Sequence, residues 1–215
     1  MTTTCEFDHL VLGAHTLGQG ADFVENLLGA RPQPGGKHVA MGTHNMLLKL
    51  GAKSYLEVIA IDLDGARPPR PRWFGLDSSV TRSALREQPR LLTWVARTND
   101  VEAVVRGCPL ALGAIHYMRR GTFSWRLTIP DDGALIDDGL IPGVIQWDGN
   151  AHPANKLADR GCDLVKLEGL HASPASIAPA LAALGLDRAI SLAAAGRSQL
   201  IATLRGPHGI CTIKS

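Results

Sequence analysis

Two side chains in this sequence stand where their chemistry is hard to explain by burial alone. His9 lies in the apolar run Phe7-Asp8-His9-Leu10-Val11-Leu12, and Glu57 in the run Tyr55-Leu56-Glu57-Val58-Ile59-Ala60. Both runs read as strands. A carboxylate in such a segment is costly to bury unless it is paired, protonated or bound to a metal. An imidazole beside it points to a metal site or an acid/base site. Regular alternation puts His9 on the face of Phe7 and Val11, and Glu57 on the face of Tyr55 and Ile59. The structural reading makes His9 a hydrogen-bonded core residue and Glu57 half of an internal ion pair. The functional reading brings the two into one catalytic site.

Other residues can join them. His38 follows the pair Gly35-Gly36, where missing side chains permit close approach of backbone or substrate. A hairpin would bring His38 near Asn45 in a shared polar pocket; alternatively His44 and Asn45 only make the turn. Trp94, Trp125 and Trp147 lie on strand-like segments and can supply flat walls for a ligand. Trp125 alternates with Arg126, and Gln146 with Trp147, so one of each pair faces a cup. His116 reads as an edge residue. His152, His171 and His208 sit beside prolines or at loop ends and read as structural. Cys5 and Cys211 lie near the termini and are poor nucleophile candidates. No Ser-His-Asp arrangement, phosphate-cradling loop or dinucleotide fingerprint is present, and Gly18-Gln19-Gly20 is too short a match.

The elements that position these residues follow a repeated order. Phe7–Gly13 reads as a strand. Thr16 caps a helix that runs to about Leu28, with Phe23, Val24, Leu27 and Leu28 on one face and Gly29 at its end. A loop through Pro32, Pro34, Gly35 and Gly36 leads to strands at Lys37–Thr43, Asn45–Leu50 and Ser54–Ile61. The same order returns as a strand at Leu91–Arg97, a helix at Asp100–Arg106, and strands at Ala114–Arg119, Thr122–Pro130 and Gly143–Asp148. A fainter third set has a strand at Asp163–Leu170, a helix opening at Pro174, and strands at Ala189–Ala195, Gln199–Arg205 and Ile210–Lys214. The period is roughly seventy to eighty residues. Between the first two sets, Pro68, Pro69 and Pro71 exclude a helix interior, while 77–87 reads as a short helix. Trp73-Phe74 in this connector either caps the edge of the core or forms a lid over a cleft. The expectation is a single domain over residues 1–215, with modules at 6–62, 91–148 and 163–214.

Composition narrows the function classes. The chain has 45% hydrophobic and 20% charged residues and a net charge of +2, which gives no reason to invoke nucleic acid or a membrane surface. Arg67, Arg70 and Arg72 are interleaved with prolines and read as a solvated connector. No apolar stretch approaches the ~18 residues that span a bilayer. The stretch Met1–Glu6 lacks a basic start and an apolar core. Of the four cysteines none forms a CxxC pair, so a structural zinc site is not expected, and a cytoplasmic location with reduced thiols is.

Asp8-His9-Leu10-Val11, Gly35-Gly36-Lys37-His38, Gly42-Thr43-His44-Asn45 and Tyr55-Leu56-Glu57 resemble the glyoxalase-like domain family of the vicinal oxygen chelate superfamily. Pro71-Arg72-Trp73-Phe74, Ile145-Gln146-Trp147 and His152-Pro153 resemble its pattern too, so the similarity runs from about residue 6 to residue 205. The resemblance implies an α+β fold in which repeated βαβββ modules form a cupped mixed sheet, as in glyoxalases and extradiol dioxygenases. In that superfamily, metal ligands come from the first and fourth strands of each module. Carried over by position, these are His9 and Glu57 in the first module, then Thr93, a poor ligand, and Gln146, a neutral amide. The implied metal set is therefore His9, Glu57 and Gln146, joined by His38 or His116, for a divalent ion such as Zn, Ni, Mn or Fe; a site without metal is the alternative.

Two functions are consistent with this reading. One is an enzyme in which His9 and Glu57 act on a small oxygen-bearing molecule, with lyase, isomerase or dioxygenase chemistry open. His38, Asn45, Trp94, Trp125 and Trp147 would bind the substrate. The other is a metal-free protein that sequesters a small planar metabolite or toxin. Either takes a small-molecule ligand rather than nucleic acid or membrane, and a homodimer is compatible with both.

Overall fold

The computed structural model describes residues 4–215; the first three residues of the stretch read for a leader lie outside them. Among the described residues, twelve strands and four α-helices follow in the order β1 (Glu6–Gly13), α1 (Leu17–Leu28), β2 (Gln33–His38), β3 (Thr43–Lys49), β4 (Tyr55–Ile61), α2 (Ser79–Glu87), β5 (Arg90–Arg97), α3 (Val101–Gly107), β6 (Ala114–Arg120), β7 (Phe123–Ile129), β8 (Gly143–Trp147), β9 (Asp163–His171), α4 (Pro174–Ala183), β10 (Ser191–Ala194), β11 (Gln199–Gly206) and β12 (Gly209–Lys214). The fold is α+β. No helix among the described residues is long and apolar enough to cross a membrane.

Eight strands form one sheet in the order β2-β3-β4-β1-β5-β8-β7-β6. The two βαβββ sets meet where β1 pairs antiparallel with β5, and β4 and β8 lie parallel to those central strands. The register at the seam is two-fold symmetric. Glu6 pairs with Arg97 and Gly13 with Arg90, while His9 pairs with Val95 and Val11 with Thr93. An operation that carries Glu6 onto Arg90 thus carries His9 onto Thr93 and Val11 onto Val95.

The same operation relates two irregularities. The register shifts between Phe7 and His9 and again between Val11 and Leu12, leaving Asp8 and Leu92 as extra residues. A bulge reverses the alternation of side chains beyond it. Phe7 stacks on Trp94 at 6.1 Å on the back of the sheet, whereas His9 faces the concave side. The shared face expected for Phe7 and His9 is therefore broken by one inserted residue.

The back of the sheet carries the main core, in which Leu10, Leu12, Leu56 and Trp94 pack against Val24 and Leu28 of α1 and Val101 and Val104 of α3. Thr16 caps α1 by accepting from the Gln19 amide, and Gly29 ends it with a left-handed φ of 75°. β9–β12 form a second sheet that joins this core through Leu167, Leu200, Ala202 and Ile213. Its order, β10-β9-β11-β12, differs from that of the first two sets, since β9 pairs with β10 in parallel and β11 antiparallel. The third set thus repeats the element order without the strand pairing.

One segment departs locally from the sequence reading. Pro34, Gly35 and Gly36, expected in a loop, belong to β2, and Val39–Met41 is a short 3-10 turn. β2 is an edge strand, where a proline without an N–H costs no ladder bond on its open side.

Candidate active site

The concave face gathers His9 from β1, His38 from β2, Asn45 from β3 and Tyr55 and Glu57 from β4. Arg120 from β6, Trp125 from β7 and Trp147 from β8 close the far side. A small cavity of about 20 Å³ lies between them, roofed by Trp73 and Phe74.

Asp8 organises the inner wall. Its carboxylate is fully buried. Oδ1 accepts from His9 Nδ1 at 2.6 Å, while Oδ2 accepts from Trp147 Nε1 at 3.1 Å and His152 Nε2 at 3.0 Å. Burial pushes the carboxyl upward, but the hydrogen bonds and charges of His152 and His9 outweigh it and hold Asp8 well below the usual carboxylate range. The ionised carboxylate accepts only, so His9 carries its proton on Nδ1 and turns Nε2 to the cavity. His152 accepts the Ala154 amide at Nδ1, which leaves its Nε2–H to donate to Asp8.

Glu57 stands opposite. Its Oε1 accepts from Asn45 Nδ2 at 2.5 Å, and Oε2 lies 3.7 Å from His9 Nε2. That separation exceeds a hydrogen bond, so neither group is committed to the other. Asn45 is itself held, because its Oδ1 accepts from the Gly36 amide at 3.0 Å. A Cβ on Gly35 would sit 2.1 Å from that oxygen, so the glycine is what lets β3 bring Asn45 this close. Tyr55 stacks on His9 at 4.4 Å; burial first, then the nearby Asp8 and Glu57 carboxylates, keep its phenol protonated.

The remaining wall is cationic and aromatic. Arg120 Nη1 donates to His38 Nε2 at 3.1 Å, so His38 holds its proton on Nδ1, facing Thr43 Oγ1 at 3.1 Å. Burial, then the Arg120 charge, push His38 well below the ordinary histidine value and keep it neutral. The guanidinium lies 5.8 Å from the Phe123 ring centre and 6.0 Å from Trp125. Over the top, Phe74 adopts a left-handed φ of 57° and stacks on Trp73 at 5.3 Å. Such a conformation costs about 1–2 kcal/mol in a non-glycine residue. Arg72 anchors the turn through Asp77 at 2.7 Å and the Gly42 carbonyl at 3.2 Å.

Of the residues singled out from sequence, His9, His38, Asn45, Glu57, Trp125 and Trp147 meet here. Trp94 and Gln146 do not. Trp94 faces the back core and donates to the Leu140 carbonyl at 3.0 Å. Gln146 accepts from the Val101 amide at 2.9 Å, at the start of α3. Register gives the reason for the second correction. Val11 pairs with Glu57, and its symmetry mate Val95 pairs with Gly143. The fourth-strand position of the second set is thus Gly143, which has no side chain to offer.

A divalent ion fits this donor set poorly. His9 Nε2 and Glu57 Oε2 could face one, but His38 Nε2 accepts from Arg120, and Thr93 and Gly143 occupy the remaining strand positions. A buried guanidinium beside the site also repels a dication. Among the described residues no group of three or more His, Cys, Asp or Glu is arranged to hold a metal.

Sequence reasoning gave no role to Asp8, Tyr55 and Arg120, and read His152 as structural. Asp8 carried a signal, a second charge inside the apolar run of His9, but alternation assigned it to the opposite face. His152 had none beyond its place before Pro153, and Arg120 none beyond its place at a turn.

A family model described as a glyoxalase-like domain matches residues 7–185. The chain belongs to the glyoxalase-like domain family. Among solved structures, a hypothetical protein from Staphylococcus aureus is similar at 15% identity and TM-score 0.60, covering 98% of this chain and 85% of that one. A methylmalonyl-CoA epimerase from Mycobacterium tuberculosis gives 19% identity and TM-score 0.41 over 65% and 86% of the two chains. A mutant 4-hydroxymandelate synthase from Streptomyces coelicolor gives 13% identity and TM-score 0.48 over 99% and 63%. No curated protein matches the sequence.

Proposed function

We propose that this glyoxalase-like protein is an enzyme that moves a proton at a carbon next to a carbonyl in a small organic acid, as isomerases and lyases do, with no step that needs a metal. The observation that carries the reading is the buried file Asp8–His9–Glu57, with 2.6 Å between its first pair and 3.7 Å between its second. Glu57, aimed by Asn45, is the base that takes the proton from carbon. His9, oriented by Asp8, turns its Nε2 lone pair towards Glu57, receives that proton from the Glu57 carboxyl and returns it, while the enolate charge lies towards Arg120. Arg120 pairs with the carboxylate of the substrate. Trp125 and Trp147 supply flat walls, and the Trp73-Phe74 roof keeps water from the enolate.

The test is hydrogen exchange at carbon. Pyruvate, 2-oxobutanoate and acetoacetate are incubated in D₂O with the protein, and loss of the C–H signal beside the carbonyl is followed by proton NMR. The wild-type protein is expected to accelerate exchange of at least one of them. Glu57→Gln should slow that exchange by about 10²–10⁴-fold, the usual worth of a positioned base. The assignment fails if no acid exchanges above the buffer rate, or if Glu57→Gln exchanges as fast as wild type.

A further inference from the structure

The start of β5 borders a cavity of about 380 Å³, enclosed by α2, the segment before β8 and the turn between β10 and β11. Among the described residues it shares no lining side chain with the cavity around His9 and Glu57. Leu85 of α2, Leu92 of β5 and Leu135 form an apolar floor. Leu92 is the extra residue that the two-fold relation of the seam pairs with Asp8. The position that carries the buried carboxylate in one half of the sheet therefore carries hydrocarbon in the other. Ala84 and Val80 continue the apolar surface along α2 to the rim, where Val80 is 77% exposed.

Two arginines stand beside this floor. Arg90 opens β5 opposite Gly13, and Arg197 lies in the turn before β11. Arg31, Arg72, Arg97 and Arg126 each pair with a carboxylate, whereas among the described residues neither Arg90 nor Arg197 forms an ion pair. Arg90 is half-buried, and its Nε has no hydrogen-bond partner among the described residues. The one acidic side chain on the described wall, Asp138, pairs with neither arginine. Ser215 is already engaged, since its hydroxyl accepts from the Leu200 amide at 2.9 Å and its carbonyl from Gln199 Nε2 at 3.3 Å. The side chains of the wall thus set two cations against one anion. An unpaired guanidinium beside apolar surface offers a fork of donors that matches a carboxylate. An apolar surface with a few placed polar groups is the composition of a small-molecule pocket.

We propose that this cavity is a second ligand site, separate from the cup, for an amphipathic monocarboxylate of the medium-chain fatty-acid class. The carboxylate lies between Arg90 and Arg197, and the hydrocarbon chain runs over Leu92 and Leu135 towards Leu85 and Val80. The volume suits such a molecule, since small-molecule pockets run from about 300 to 1,000 Å³. A bare anion would use the arginines and leave the floor wet, and a neutral hydrocarbon would cover the floor and leave the arginines unpaired. Only a ligand with both parts uses the whole wall. The proposal does not depend on the proton-transfer chemistry of His9 and Glu57.

Isothermal titration calorimetry with octanoate, 1-octanol, acetate and inorganic phosphate tests it. Octanoate should bind wild type saturably with a Kd below about 1 mM, and acetate and phosphate at least about tenfold more weakly, because they bring no chain to the floor. Octanol should also bind at least about tenfold more weakly, because it brings no charge to the arginines. Arg90→Gln and Arg197→Gln should each weaken octanoate binding by at least about fivefold. Ala84→Leu fills the cavity from α2 with both arginines in place; it should weaken octanoate by a similar factor, and it serves if an arginine variant does not fold. Arg120→Gln reports on the cup instead and should leave octanoate affinity within about twofold. Absence of saturable octanoate binding, or equal affinity for octanol, acetate or phosphate, overturns the proposal. So does octanoate binding that survives the Arg90, Arg197 and Ala84 variants, or that is lost in Arg120→Gln.

Discussion

Replacing Asp8 by asparagine keeps the shape of the side chain and removes its charge, which isolates the part the carboxylate plays. In the native protein it accepts three hydrogen bonds, from His9 at 2.6 Å, His152 at 3.0 Å and Trp147 at 3.1 Å. An amide has one acceptor oxygen. If that oxygen keeps His152 and Trp147, the new NH₂ meets the Nδ1–H of His9, donor against donor. Shifting the His9 proton to Nε2 relieves the conflict, but it turns a donor towards Glu57 and abolishes the Nε2 lone pair. Each charged hydrogen bond that becomes neutral loses about 1 kcal/mol, so three lose about 3 kcal/mol, and the cheaper burial of a neutral group returns part of this. A net loss of about 2 kcal/mol corresponds to a melting temperature lower by about 4–8 °C in a chain of this size. Scanning calorimetry measures it. Nitrogen-15 imidazole spectra should show the His9 proton on Nδ1 in wild type and on Nε2 in Asp8→Asn, and hydrogen exchange should fall at least about a hundredfold. An unchanged melting temperature together with an unshifted tautomer would refute the argument that Asp8 sets the protonation of His9.

The neutral, buried His38 makes stability pH-dependent with a definite sign. Its folded value is depressed, so below about pH 6.5 the unfolded chain binds a proton that the folded chain does not, and stability falls as pH drops by up to about 1.4 kcal/mol per unit. His38→Gln should flatten that slope in denaturant titrations between pH 6.5 and 5; an identical slope in the variant counts against the assignment. Gly20→Ala should destabilise by about 1–3 kcal/mol despite better helix propensity, because its Cβ would lie 2.4 Å from Val58 Cγ1 where α1 packs on β4. A melting temperature that rises would show that the helix can shift away. Dialysis against a chelator should change neither stability nor hydrogen exchange, since Arg120 occupies the third donor of the site. Loss of exchange that a divalent ion restores would overturn the metal-free reading.

Much of the scaffold can be read locally. Thr16 and Gly29 bracket α1 because a hydroxyl can cap free amides and a glycine can turn left-handed, and both properties act within a few residues. The repeated strand-helix-strand order comes from hydrophobic spacing of the same short range. β2 escaped this reading because Pro34, Gly35 and Gly36 are turn residues by local preference, whereas an edge strand tolerates them and the approach of Asn45 requires Gly35.

The site divides along the same line. That His9 and Glu57 are polar groups in apolar strands is a property of the sequence alone, because the cost of burying a charge does not depend on which strands become neighbours. Which partners meet those charges depends on register and on one bulge. Asp8 reaches the concave face only because the pairing of β1 with β5 leaves it as an extra residue. Gln146 and Trp94 leave that face because side chains on a strand alternate with a period of two, so an error of one position reverses the outcome. Arg120 and His152 arrive from segments far along the chain, and Gly143 takes the place of a carboxylate through a symmetry that exists only once the two halves of the sheet are joined. Spacing within the chain carries the elements, while the seam between β1 and β5 decides which side chains share the cavity, since hydrogen-bond register between distant strands is set by the packed sheet and not by either strand by itself.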